Sequence, residues 1–71
     1  MATIVTTDIE ELAVVEFTRA LEGFKGGTIG TVISARPERD MYTVEVVDAK
    51  GRTTGLIAAR SDDLRVRVRP S

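Results

Sequence analysis

A chain of 71 residues with no cysteine and no histidine has neither of the usual staples for a small fold. Disulfides are excluded, and so are most zinc sites. A domain of this size buries only about 60% of the surface that its unfolded chain exposes. Its stability must therefore come from apolar packing, from a sheet that closes on itself, or from association with another chain.

The hydrophobic pattern supplies the sheet. Leu12-Ala13-Val14-Val15-Glu16-Phe17-Thr18 is rich in β-branched and aromatic residues and reads as a first strand over 12–18. A loop from Arg19 to Gly26 leads to a second strand over 27–35. Arg36-Pro37-Glu38-Arg39-Asp40 is a polar loop, because proline cannot donate to a central ladder. In the third strand, 41–48, Tyr42, Val44 and Val46 fall on one face and Thr43 and Glu45 on the other. Asp48-Ala49-Lys50-Gly51 places a glycine where a tight hairpin needs positive φ. A fourth strand follows over 52–59. Ser61-Asp62-Asp63 then reads as one helical turn capped by Ser61, with the two carboxylates capping and solvating it. The last strand, 64–69, alternates strictly and stops at Pro70. Leu64, Val66 and Val68 are expected inward, and Arg65, Arg67 and Arg69 outward.

Five short strands, a long first loop, a tight hairpin between strands three and four, and one helical turn before strand five predict an all-β, small five-stranded SH3-like barrel. Residues 11–71 form that domain. Residues 1–10 read as a flexible lead-in, Thr-rich and then acidic; the alternative there is a short helical turn with Asp8 as its cap.

The series Leu12–Thr18, Gly27–Val32, Tyr42–Asp48 with Gly51, and Asp63-Leu64-Arg65 resembles the small bacterial proteins catalogued as domain of unknown function 4926. The resemblance spans Glu11 to Arg69 and departs from the family pattern at Phe24 and in the arginine-rich last strand. It implies an SH3-like barrel and no established activity. It also implies neighbours of toxin-like or nuclease-like type, which would suit an antitoxin or immunity role.

Catalysis finds little to work with. Without histidine or cysteine the usual nucleophilic triads are excluded. The carboxylate pairs Glu10/Glu11 and Asp62/Asp63 are adjacent in sequence and do not share a face. Gly23, Gly26, Gly27 and Gly30 make neither a dinucleotide fingerprint nor a phosphate loop and read as turn and bulge geometry. No enzyme activity, cofactor or metal is expected. Three aromatic residues, Phe17, Phe24 and Tyr42, are too few for polyproline recognition or for stacking single-stranded nucleic acid; Phe17 and Tyr42 read as core.

What remains is charge. The formal net charge is -1, without the basic excess of a phosphate-binding protein. Its distribution is uneven. Asp8, Glu10, Glu11, Glu16 and Glu22 outnumber Arg19 and Lys25 in the first half, while the second half is net basic. Arg65, Arg67 and Arg69 lie about 7 Å apart along one strand face. This row is either a binding surface or a solvated face salt-bridged to a neighbour such as Glu16. Arg36 and Arg39 form a second candidate site. The expected function is a small non-catalytic protein-interaction module, an antitoxin or immunity-type partner of a larger protein. The rival is a nucleic-acid-binding barrel using the arginine row. The N-terminus shows no signal-peptide pattern and no stretch is long enough to span a bilayer, so a cytoplasmic location is expected, with a protein partner, a possible homo-oligomer and no membrane contact.

Overall fold

The computed structural model describes residues 9–70. Within them the chain forms β1 (Val14–Phe17), β2 (Ile29–Arg36), β3 (Met41–Val47), β4 (Thr53–Ala59) and β5 (Leu64–Val68). Single 3-10 turns at Pro37–Arg39 and Ser61–Asp63 separate β2 from β3 and β4 from β5. All neighbouring strands are antiparallel, in the order β4-β3-β2-β1-β5. The all-β class and the five strands match the sequence pattern.

The sheet is not closed into a barrel. No ladder joins β4 to β5 among the described residues. The side chain of Phe24 spans part of that opening. It stands edge-on to Phe17 of β1, ring centroids 6.3 Å apart at 79°. Its other flank lies against Gly55 of β4, where an added Cβ would come within 2.8 Å of the ring. Phe24 thus packs aromatic carbon between β1 and the bare backbone of β4. Among the described residues, the outer sides of β4 and β5 have no strand partner.

One of the sheet's bends lies in β2. Gly30 is buried, and a Cβ there would sit 2.5 Å from Val44 Cγ1 and 2.8 Å from the Glu45 carbonyl oxygen. No other residue permits that approach. Two residues on, the register slips by one between Val32 and Ser34, a bulge that increases the local twist. The inner face gathers Val15, Phe17, Val32, Tyr42, Val44, Val46, Ile57, Ala59 and Leu64 into one core. The expected inward set on β3 is buried in full, and Phe17 and Tyr42 are core residues.

Two local details differ from the pattern. The first strand begins at Val14 rather than 12, because Glu10 to Ala13 is a hydrogen-bonded turn (Ala13 N–H to Glu10 O, 3.1 Å) with Leu12 at φ 74°. Ile9, inside the segment read as lead-in, is buried in the core. Asp8 and the Thr-rich stretch lie outside the described residues. The hairpin after β3 forms as expected: Gly51 takes φ 80°, and its N–H donates to the Asp48 carbonyl at 2.9 Å. The Asp48 side chain supports the same turn by accepting from the Lys50 and Arg52 N–H groups at 2.8 and 3.0 Å.

Candidate functional site

β5 is an edge strand, and its alternation holds for only part of its length. Leu64 is buried and Val66 half-buried, while Arg65 and Arg67 are exposed. Val15 pairs with Val66 but Val14 pairs with Val68, so Arg67 is an extra residue in a bulge. The bulge sets Val68 opposite Val14 instead of over the core. Val68 is therefore 57% exposed, against the expectation that it points inward.

The bulge also decides what the arginines do. Glu16 faces Arg65 in the register, yet its Oε1 accepts from Arg67 Nη1 at 2.8 Å. Both partners are partly exposed, so this pair contributes less than about 1 kcal/mol. The solvated, salt-bridged reading of the row thus holds for Arg67. Arg65 has no ion pair or hydrogen bond among the described residues. Arg69 is exposed just beyond the end of β5. Arg36 ends β2 opposite Met41, and Arg39 lies in the 3-10 turn that follows. Arg36 sits two strands away from β5 in the sheet order, so the two candidate groups belong to different parts of the sheet.

The pattern missed the polar joint between β4 and β5. Ser61 does not cap the turn with its side chain; its N–H donates to Asp40 Oδ1 at 2.9 Å. The cap is Asp63, whose Oδ2 accepts from the Arg60 N–H at 2.9 Å and whose Oδ1 accepts from Arg19 Nε at 2.7 Å. Asp62 is solvated as expected, but Asp63 is buried. Thr18 completes the joint, its N–H donating to Asp63 O at 2.8 Å and its hydroxyl to Asp62 O at 2.7 Å. The Arg60 N–H, helped by Arg19, holds the Asp63 carboxyl below the usual aspartate range against the opposing effect of burial. Asp40 is lowered as well, chiefly by the Ser61 N–H. The signal for this joint was available only as a Ser-Asp-Asp turn; its partners are 21 and 44 residues away in sequence.

Beside the joint, Arg39, Asp40, Met41, Ala58, Ala59 and Arg60 line a shallow pocket of about 130 Å³. No group of three or more carboxylates gathers to hold a metal ion among the described residues. No helix among them is long and apolar enough to cross a membrane.

The arrangement defines a small all-β domain built on one five-stranded antiparallel sheet. Residues 11–66, most of the chain, match the family described as a domain of unknown function (DUF4926), and the chain belongs to that family. No curated protein and no solved structure matches it.

Proposed function

We propose that this protein is a non-catalytic protein-interaction module of the bacterial cytoplasm. In its most specific form it is an antitoxin or immunity-type partner that blocks a larger protein. Such a role needs a rigid display surface and no reacting groups. The observation that carries the reading is Arg65. It stands exposed on an edge strand and has no ion pair or hydrogen bond among the described residues, with the exposed Val68 farther along the same strand. Arginine's planar fork binds carboxylates in a bidentate way and is enriched where interfaces are strongest. The competing nucleic-acid reading is weakened by Glu16, which occupies Arg67 and puts negative charge inside the row.

Changing Arg65, Arg67 and Arg69 together to Ser tests the proposal. The fold should persist, since the three side chains stand on an exposed face and the Arg67–Glu16 pair is partly exposed. Partner recovery by pull-down from the native host should fail. Unchanged partner affinity would move the site to the Arg36–Asp40 loop. Sub-micromolar binding of short DNA or RNA in about 150 mM salt, read by fluorescence anisotropy, would favour the nucleic-acid reading instead.

A further inference from the structure

The two edges of the sheet are built differently. β5 carries Arg65 and Arg67, bulges at Arg67 and is followed by Pro70. Charge, bulge and proline all discourage another strand from pairing. β4 has none of these protections along most of its length. Its residues Thr53-Thr54-Gly55-Leu56-Ile57-Ala58-Ala59 include no charge and no proline. Among the described residues it pairs with β3 alone, and its one register slip lies at its start, leaving Gly55 to Ala59 unbroken. Leu56 is 61% exposed, and Ala58 beyond it is exposed as well.

Charge at the ends of β4 indicates what could pair there. Arg52 precedes the strand and Arg60 follows it. At the Arg60 end lies the pocket, with Arg39 and Arg60 beside an apolar floor of Met41 and Ala58. Neither guanidinium forms a direct ion pair among the described residues. Asp40 also lines the pocket; its Oδ1 accepts from the Ser61 N–H and its charge acts on Arg60, so Arg39 supplies the pocket's excess positive charge. A second copy of the chain suits this edge poorly. Antiparallel self-pairing centred on Leu56 would set Arg52 of each copy opposite Arg60 of the other, and like charges directly opposite are destabilising.

From the uncharged free edge and the basic pocket at its end, we propose that β4 accepts an extended strand from a protein partner. That strand is uncharged in its middle and places a carboxylate between Arg39 and Arg60. Main-chain hydrogen bonds along Gly55–Ala59 supply attachment, and the pocket supplies direction and selectivity. The inference rests on the reading of the protein as an interaction module, but it concerns the edge opposite the arginine strand, so the two surfaces can be tested separately.

The experiment uses the full chain, labelled with nitrogen-15, and two synthetic ten-residue peptides. Both share a Thr/Val middle; one has two Glu at each end and the other two Lys. The Glu peptide should shift the amide signals of Thr53–Arg60 and leave β5 unchanged, and the Lys peptide should bind about tenfold more weakly, as expected for reversing two partly exposed charge contacts. Methylating alternate backbone nitrogens of the Glu peptide should abolish the shifts. Arg39→Glu, at an exposed position, should narrow or reverse the peptide preference without altering the fold. Overturning results are equal binding of both peptides, persistence of binding after methylation, shifts confined to β5, or shifts of β4 that depend on protein concentration alone. The last would identify a second copy as the occupant. A loss of partner binding in the Arg65/Arg67/Arg69 variant together with an unaltered β4 response would separate the two surfaces.

Discussion

Replacing Asp63 by Ala should be among the most damaging single polar substitutions in this domain, and the structure indicates why. The side chain is buried, and its two oxygens satisfy the Arg60 N–H and Arg19 Nε. Losing the cap leaves the Arg60 N–H without its charged acceptor and costs roughly 1–2 kcal/mol. The Arg19 contact contributes less than about 1 kcal/mol, because that side chain is 66% exposed and regains water. The total is about 1–3 kcal/mol, which for so small a domain lowers Tm by about 5–20 °C. Thermal melts followed by circular dichroism provide the measurement, with two controls. Asp63→Asn keeps an oxygen for the Arg60 N–H and should lose about half as much. Arg19→Ala should lose less than about 1 kcal/mol. The pH dependence has a definite sign. The Asp63 carboxyl is held below its ordinary value, so its contribution is present above about pH 4 and is lost as pH falls through the folded value. The gap in Tm between the parent and Asp63→Asn should therefore be full near neutrality and close in strong acid. A Tm for Asp63→Ala within about 3 °C of the parent would refute the reasoning, as would an Arg19→Ala loss equal to that of Asp63→Ala.

Two further substitutions probe the bends that shape the sheet. Gly30→Ala should cost about 2–3 kcal/mol in urea unfolding, because its Cβ meets the Glu45 carbonyl oxygen, a backbone atom that cannot swing aside; an effect below about 0.5 kcal/mol would mean that β2 can shift away from β3. Gly51→Val should cost about 1–3 kcal/mol through positive φ alone, since nothing lies within 4 Å of the added Cβ. Melting of this variant like the parent would show that the hairpin reforms with another turn.

What the sequence alone determined was local. Strict alternation in Met41–Val47 set which face of β3 is buried, and the Asp48–Gly51 turn set how β3 returns as β4. Both follow from interactions within a few residues, where side-chain period and turn geometry are decisive. The arginines of β5 were visible too, but not their use. A bulge formed only by pairing with β1 turned Val68 out of the core and gave Arg67, rather than Arg65, to Glu16. Burial of Asp63 was likewise invisible, because its partner Arg19 lies 44 residues away. The open sheet was also decided in three dimensions. Phe24, a loop residue with no periodic pattern, packs between Phe17 and Gly55 near the gap where β4 and β5 do not pair, and that packing exists only once three distant segments have met. Alternation and turn residues encode strands; which edges stay free, and which charges remain unpaired on them, depends on contacts that no local pattern records.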